Sequence, residues 1–105
     1  MSISTHTKKD AITIQLDKDF TFHHQADFRQ AYEQNIDEHT KSVFIDFART
    51  DFIDSAALGM LLVLREYVEK NKGTTSIELI NCKKEVFEIL EISNFSKLFS
   101  IPKAS

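Results

Sequence analysis

The sequence predicts an α/β fold, and three observations support that prediction. The length of 105 residues suits one hydrophobic core and leaves no room for a second. Hydrophobic residues make up 42% and charged residues 28% of the chain, too apolar for disorder and too interrupted by charge for a membrane span. The apolar spacing alternates between strand-like and helix-like periods. We therefore expect a single domain over residues 1–105.

The first apolar segment has the period of a strand. Ile12, Ile14 and Leu16 alternate with polar residues, as in a strand with one buried face. Phe20 and Phe22 continue this alternation after a short polar turn. We interpret the two segments as neighbouring strands that pair with each other.

A helix and a further strand follow. Phe28, Tyr32 and Ile36 recur every four residues, which predicts an amphipathic helix over residues 24–36. Residues 43–47, with the sequence VFIDF, form a short and almost wholly apolar run. Such a run is typical of a strand that is buried on both faces, so we expect it at the centre of the sheet.

The second half of the chain repeats this alternation. Apolar spacing predicts a helix over residues 55–71, a strand over residues 76–82 and a third helix over Lys84–Ile92. The full order is strand, strand, helix, strand, helix, strand, helix. This order favours an α/β layer whose parallel strands are joined by helical crossovers.

Charge and composition exclude several function classes. The formal net charge of -3 provides no basic field to attract a nucleic acid. With two glycines, the chain has no glycine-rich loop to cradle a nucleotide, and we expect no cofactor. Cys82 lies in an apolar run and is interpreted as a buried thiol in a reducing compartment. The first residues lack the apolar core of a secretory signal, so we expect a cytoplasmic protein.

The helix over residues 55–71 has two distinct faces when 100° is assigned to each residue. The core face is predicted to carry four apolar side chains: Ala57, Leu61, Leu64 and Val68. The opposite face carries four others: Ser55, Gly59, Leu62 and Glu66. Leu58 lies at the boundary, and both Asp54 and Ser55 are suitable N-cap residues. An exposed leucine beside a glycine, close to a hydroxyl, suggests a protein-docking surface.

The segment Phe52–Leu61, with the sequence FIDSAALGML, resembles the signature of STAS domains. The resemblance is to the stand-alone anti-sigma factor antagonists of bacterial partner-switching systems, and it spans nearly the whole chain. Four positions match the family pattern: Asp54, Ser55, Leu58 and Gly59. Two depart from it, because Ala57 replaces the commoner glycine and Ala56 removes a second candidate hydroxyl.

The resemblance implies a fold and a function. The fold is a mixed central sheet with helices packed mainly on one face. Ser55 is the regulatory serine, and the unphosphorylated chain binds a serine kinase that has an ATP-binding fold of the histidine-kinase type and is often itself an anti-sigma factor. Phosphorylation loosens the complex, a PP2C-type phosphatase resets it, and the chain itself catalyses nothing. The expected partner-binding residues are Asp54, Leu58, Gly59, Leu62 and Glu66.

Two alternatives stay open at the level of sequence. Asp46, Asp51 and Asp54 follow a predicted buried strand, as in a receiver domain with a phospho-accepting aspartate or in a small magnesium-dependent enzyme. The other alternative is a structural STAS subunit of a membrane transport complex, in which Ser55 is only a helix cap. The pair His23 and His24 has no partner at ligand spacing, so no metal site is expected there.

Overall fold

The computed structural model describes residues 3–70 and 76–102. Their strands and α-helices are β1 Ser4–Lys8, β2 Ala11–Gln15, β3 Asp19–Phe20, α1 Gln25–Asn35, β4 Ser42–Asp46, β5 Phe52–Ile53, α2 Ser55–Lys70, β6 Ser76–Ile80 and α3 Lys84–Ile92. Two short 3-10 helices span Phe22–His24 and Phe95–Lys97. Within these residues no helix is both long and apolar enough to span a membrane.

The main sheet has four strands in the order β1-β2-β4-β6. β1 runs antiparallel to β2, whereas β2, β4 and β6 run parallel to one another. The chain passes from β2 to β4 through α1 and from β4 to β6 through α2. The predicted mixed α/β sheet with helical crossovers is therefore confirmed, and the apolar run around residues 43–47 supplies its inner strand β4.

The helices cover one face of this sheet. The side chains of β2, β4 and β6 that point to that face are buried: Ile12, Ile14, Val43, Ile45, Ile77 and Leu79. The intervening side chains of all three strands are only half-buried or exposed. The prediction that residues 43–47 are buried on both faces is wrong, because Phe44 lies half-buried on the open face between Thr13 and Glu78 of the neighbouring strands.

The predicted pairing of residues 12–16 with Phe20 and Phe22 is also wrong. β2 pairs with β1, a polar strand whose sequence STHTK has no apolar alternation. The turn between β1 and β2 places Lys9 at φ 55, a conformation in which glycine is commoner. β3 pairs with β5 in a separate two-stranded parallel sheet, and Phe22 begins a 3-10 helix.

The helices match their predicted positions closely. α1 and α2 lie within one or two residues of the predicted ends, although residue 71 lies outside the described residues, and α3 has the predicted bounds. β6 ends two residues before the predicted strand does. Near the C-terminus, Phe95 and Phe99 are buried and their rings stack.

Candidate functional site

The start of α2 is capped by Asp54. One carboxylate oxygen, Oδ1, accepts a hydrogen bond from the backbone N–H of Ala57 at 2.9 Å, as an N-cap side chain does. The other, Oδ2, accepts a hydrogen bond from the backbone N–H of Phe22 at 3.1 Å. Partial burial disfavours the carboxylate, but the surrounding backbone N–H groups outweigh this effect and lower the pKa of Asp54. Of the two candidate caps, the structure therefore selects Asp54.

Ser55 is the first residue of α2, and its side chain is exposed. Among residues 3–70 and 76–102 its hydroxyl has no hydrogen-bond partner, whereas the neighbouring Asp54 is bonded on both oxygens. The hydroxyl is therefore accessible to another protein without the loss of an internal contact. Because Asp54 is the cap, we expect removal of the Ser55 hydroxyl to have little effect on the stability of the fold.

The two faces of α2 match the helical projection. On the core face, Ala57, Leu61 and Leu64 are fully buried and Val68 is 5% exposed. Met60, on the flank of this stripe, is 8% exposed. The core assignment made from sequence is confirmed.

The opposite face of α2 is open. Leu62 is 41% exposed, and Gly59 is exposed, with no atom beyond its chain neighbours and the nearby helix backbone within 4 Å of the position that a β-carbon would take. Glu66 is exposed and forms an ion pair with Lys70 at 3.6 Å. Leu58 is half-buried and packs against the core, which agrees with its predicted place at the boundary. The geometry thus leaves the predicted partner-binding side chains accessible on one side, beginning at Ser55.

A groove between α1 and α2 was not predicted from the sequence. Its volume is about 410 Å³, and it is lined by Phe22, Gln25, Phe28, Arg29, Tyr32, Ala56, Gly59, Met60 and Val63. Phe22 is 62% exposed and Val63 is 55% exposed. The sequence signal for Val63 is its helical spacing: it is four residues after Gly59 and therefore lies on the same side of α2. Phe22 has no such local signal, because its backbone N–H bonds to Asp54, which is 32 residues away in the chain.

The structure does not bring the three candidate acidic residues together in one ligand set. The Asp46 carboxylate accepts a hydrogen bond from the side chain of Asn81 at 3.1 Å. Asp51 forms an ion pair with Lys83, which lowers the pKa of that carboxyl, and Asp54 caps α2. In the described part of the chain, no group of three acidic, histidine or cysteine side chains is arranged to hold a metal ion.

Two further side chains with reactive groups, Cys82 and His24, have structural roles. Cys82 is buried as predicted, and burial raises the pKa of its thiol to about 11, with the nearby Asp46 carboxylate adding to the effect. His24 accepts a hydrogen bond from the backbone N–H of Thr21 at 3.2 Å and so helps to form the turn before α1. Neither side chain is placed as a nucleophile or a metal ligand.

The family model of the STAS domain matches residues 2–104. The chain belongs to the STAS domain family. A relative, a STAS-domain containing protein of Pseudomonas aeruginosa, is 41% identical over 90 residues, which are 86% of each chain. The resemblance inferred from residues 52–61 is therefore confirmed at the level of the family.

Solved structures show the same STAS fold. An anti-sigma factor antagonist of Mycobacterium paratuberculosis superposes with a TM-score of 0.76 at 13% identity, over 94% of this chain and 82% of the other. The anti-sigma factor antagonist SpoIIAA in its unphosphorylated form gives a TM-score of 0.69 at 18% identity, over 98% and 89% of the two chains. SpoIIAA of Bacillus is also solved in its phosphorylated form, with a TM-score of 0.62 at 17% identity over 96% and 91%.

Proposed function

We propose that this chain is the phosphorylatable component of a partner-switching system, with Ser55 as the modified residue. The observation that carries the proposal is the exposed Ser55 hydroxyl, which no described residue engages, at the beginning of the open face of α2. The existence of two forms of SpoIIAA, unphosphorylated and phosphorylated, supports this function for a chain with the same fold.

The proposed partner is a serine kinase with an ATP-binding fold of the histidine-kinase type that also acts as an anti-sigma factor. In the transfer, Ser55 Oγ forms a bond to the γ-phosphorus of ATP while the bond from that phosphorus to the ADP oxygen breaks. The hydroxyl proton passes to a base on the kinase, and the products are phosphoserine and ADP. A PP2C-type phosphatase would return the serine by hydrolysis.

The position of Ser55 makes phosphorylation compatible with the fold but not with a docked partner. A phosphate adds about 1.5 to 2 negative charges, and the N-terminus of a helix stabilises negative charge. A partner covering the first turn of α2 would have to desolvate those charges beside the Asp54 carboxylate. Affinity for the partner should therefore fall without any refolding of this chain.

The chain is proposed to act by binding, in the cytoplasm, with no nucleotide turnover of its own. The partner surface comprises the positions already predicted: Leu58, Gly59, Leu62 and Glu66 as contacts of the partner, and Asp54 as the cap at the start of this face. Release of the kinase's other client would follow from competition for the kinase, whether that client is a sigma factor or another regulator.

The proposal is tested by mapping the phosphate. The kinase is purified from the source organism by following ATP-dependent transfer of phosphate to this chain, and the product is analysed by peptide mass spectrometry. We expect one acid-stable phosphate on Ser55, abolished by Ser55→Ala. An acid-labile phosphate on Asp46, Asp51 or Asp54 would instead support a receiver-like protein, and absence of any phosphate would support a structural subunit.

A further inference from the structure

The groove between α1 and α2 adjoins the proposed phosphorylation site. Ala56 and Gly59, from the first two turns of α2, line the groove, and Ser55 directly precedes Ala56. Buried Phe28 and Met60 form its apolar lining, while Phe22 and the neighbouring α2 surface remain open to solvent. The groove is thus continuous along the helix with the serine.

Asp54 is hydrogen-bonded to the turn that carries Phe22. The Phe22 backbone N–H donates to Asp54 Oδ2 at 3.1 Å across a sequence separation of 32 residues. The same turn is stabilised by the contact of the Thr21 backbone N–H with His24 Nδ1 at 3.2 Å. One carboxylate therefore joins the start of α2 to the turn that carries Phe22, a residue that is 62% exposed.

We propose that this groove is the second half of the kinase-docking surface, and that Asp54 is a positioning residue for Phe22. The inference rests on the proposed function and names its occupant, an apolar side chain of the same serine kinase. A kinase that brings ATP to Ser55 Oγ must cover Ala56 and Gly59, which already belong to the groove. Aromatic side chains desolvated at the centre of an interface contribute strongly to affinity.

The test is a double-mutant cycle on the affinity of the purified kinase for the unphosphorylated chain. Phe22→Ala removes the ring, and Phe22→Leu keeps most of its apolar surface. Asp54→Asn keeps an N-cap residue type but replaces one accepting oxygen by an amide that donates, so the bond from Phe22 and the bond from Ala57 cannot both remain. Ile92→Ala is the control, since Ile92 is 82% exposed on α3 and does not line the groove.

We expect Phe22→Ala to weaken kinase binding about tenfold or more, Phe22→Leu to restore most of the affinity, and Ile92→Ala to bind like the wild type. Because Asp54 acts through Phe22, the double variant Phe22→Ala/Asp54→Asn should bind no more weakly than Phe22→Ala alone. Melting temperatures of the Phe22 variants should stay close to that of the wild type, as expected for an exposed side chain.

Three results would overturn the inference. Wild-type affinity of Phe22→Ala, with Ser55 still phosphorylated in the wild type, would exclude the groove and leave the proposed function intact. If the double variant lost affinity by the product of the two single fold-changes, Asp54 would contact the kinase independently of Phe22. Failure of the wild-type chain to bind the kinase or to accept phosphate on Ser55 would overturn the inference together with the proposed function.

Discussion

The two faces of α2 differ in what they contribute to the protein, although they share one backbone. The core face carries Leu61 and Leu64, which are fully buried in the hydrophobic core. The open face carries Gly59, which is exposed, and Leu62, which is 41% exposed. Substitutions one residue apart on α2 should therefore separate stability from binding, since adjacent helical positions point about 100° apart.

The largest expected effect is on the core face. Leu61→Ala should lower the free energy of unfolding by about 2 to 5 kcal/mol, because the fully buried side chain leaves a cavity. Leu62→Ala is the matched control and should cost less than about 1 kcal/mol. Urea denaturation of both variants measures the difference. Equal destabilisation by the two substitutions would contradict the assignment of the faces.

The next effect concerns binding by the open face. Leu62→Ala should weaken kinase binding by about 2 kcal/mol, roughly thirtyfold, because a central apolar contact is lost. Phosphorylation of Ser55 by the same kinase should slow correspondingly. Isothermal titration calorimetry gives the affinity, and a thermal melt of the same sample reports the fold. Unchanged affinity would move the docking surface away from this face.

Substitution of Asp54, the N-cap of α2, should have an intermediate effect on stability. Asp54→Ala removes the α2 cap and should destabilise the fold by about 0.5 to 2 kcal/mol. The folded-state pKa of Asp54 is lowered, so its contribution is present above its unfolded pKa of about 4 and is lost as pH falls through the lower folded value. Urea denaturation of wild type and variant should give a smaller difference in the free energy of unfolding at pH 2 to 3 than at pH 7. A difference that stays constant with pH would contradict the conclusion that the charged carboxylate of Asp54 caps α2.

The smallest changes in stability are expected for substitutions of Gly59 and Ser55 on the open face. Gly59→Ala should stabilise the fold by up to about 1 kcal/mol, because alanine favours the helix and its β-carbon would meet no atom beyond its neighbours in the helix. Ser55→Ala should change stability by less than about 0.5 kcal/mol, since Asp54 is the cap. Thermal melts measure both changes. A loss of about 1 kcal/mol in Ser55→Ala would mean that the serine shares the capping.

Features with a local signal in the sequence were predicted correctly, and features that depend on distant parts of the chain were not. Leu61 and Leu62 were assigned to opposite faces correctly, because helical periodicity relates each side chain to its neighbours along the chain. The polar strand β1 was missed because its sequence carries no apolar alternation. Phe44 was assigned to the core wrongly, because an apolar side chain does not report which face of a sheet the helices leave open.

The sequence by itself determined the alternation of the three helices with strands β2, β4 and β6, the core stripe of α2 and the motif around Ser55. Each of these depends on residues close together in the chain, where spacing decides which side chains share a face. Only the tertiary structure decided that β3 pairs with β5 and that Asp54 binds the backbone of Phe22. Those contacts join segments about 32 residues apart, and nothing in local periodicity specifies which distant backbone group will reach a given carboxylate.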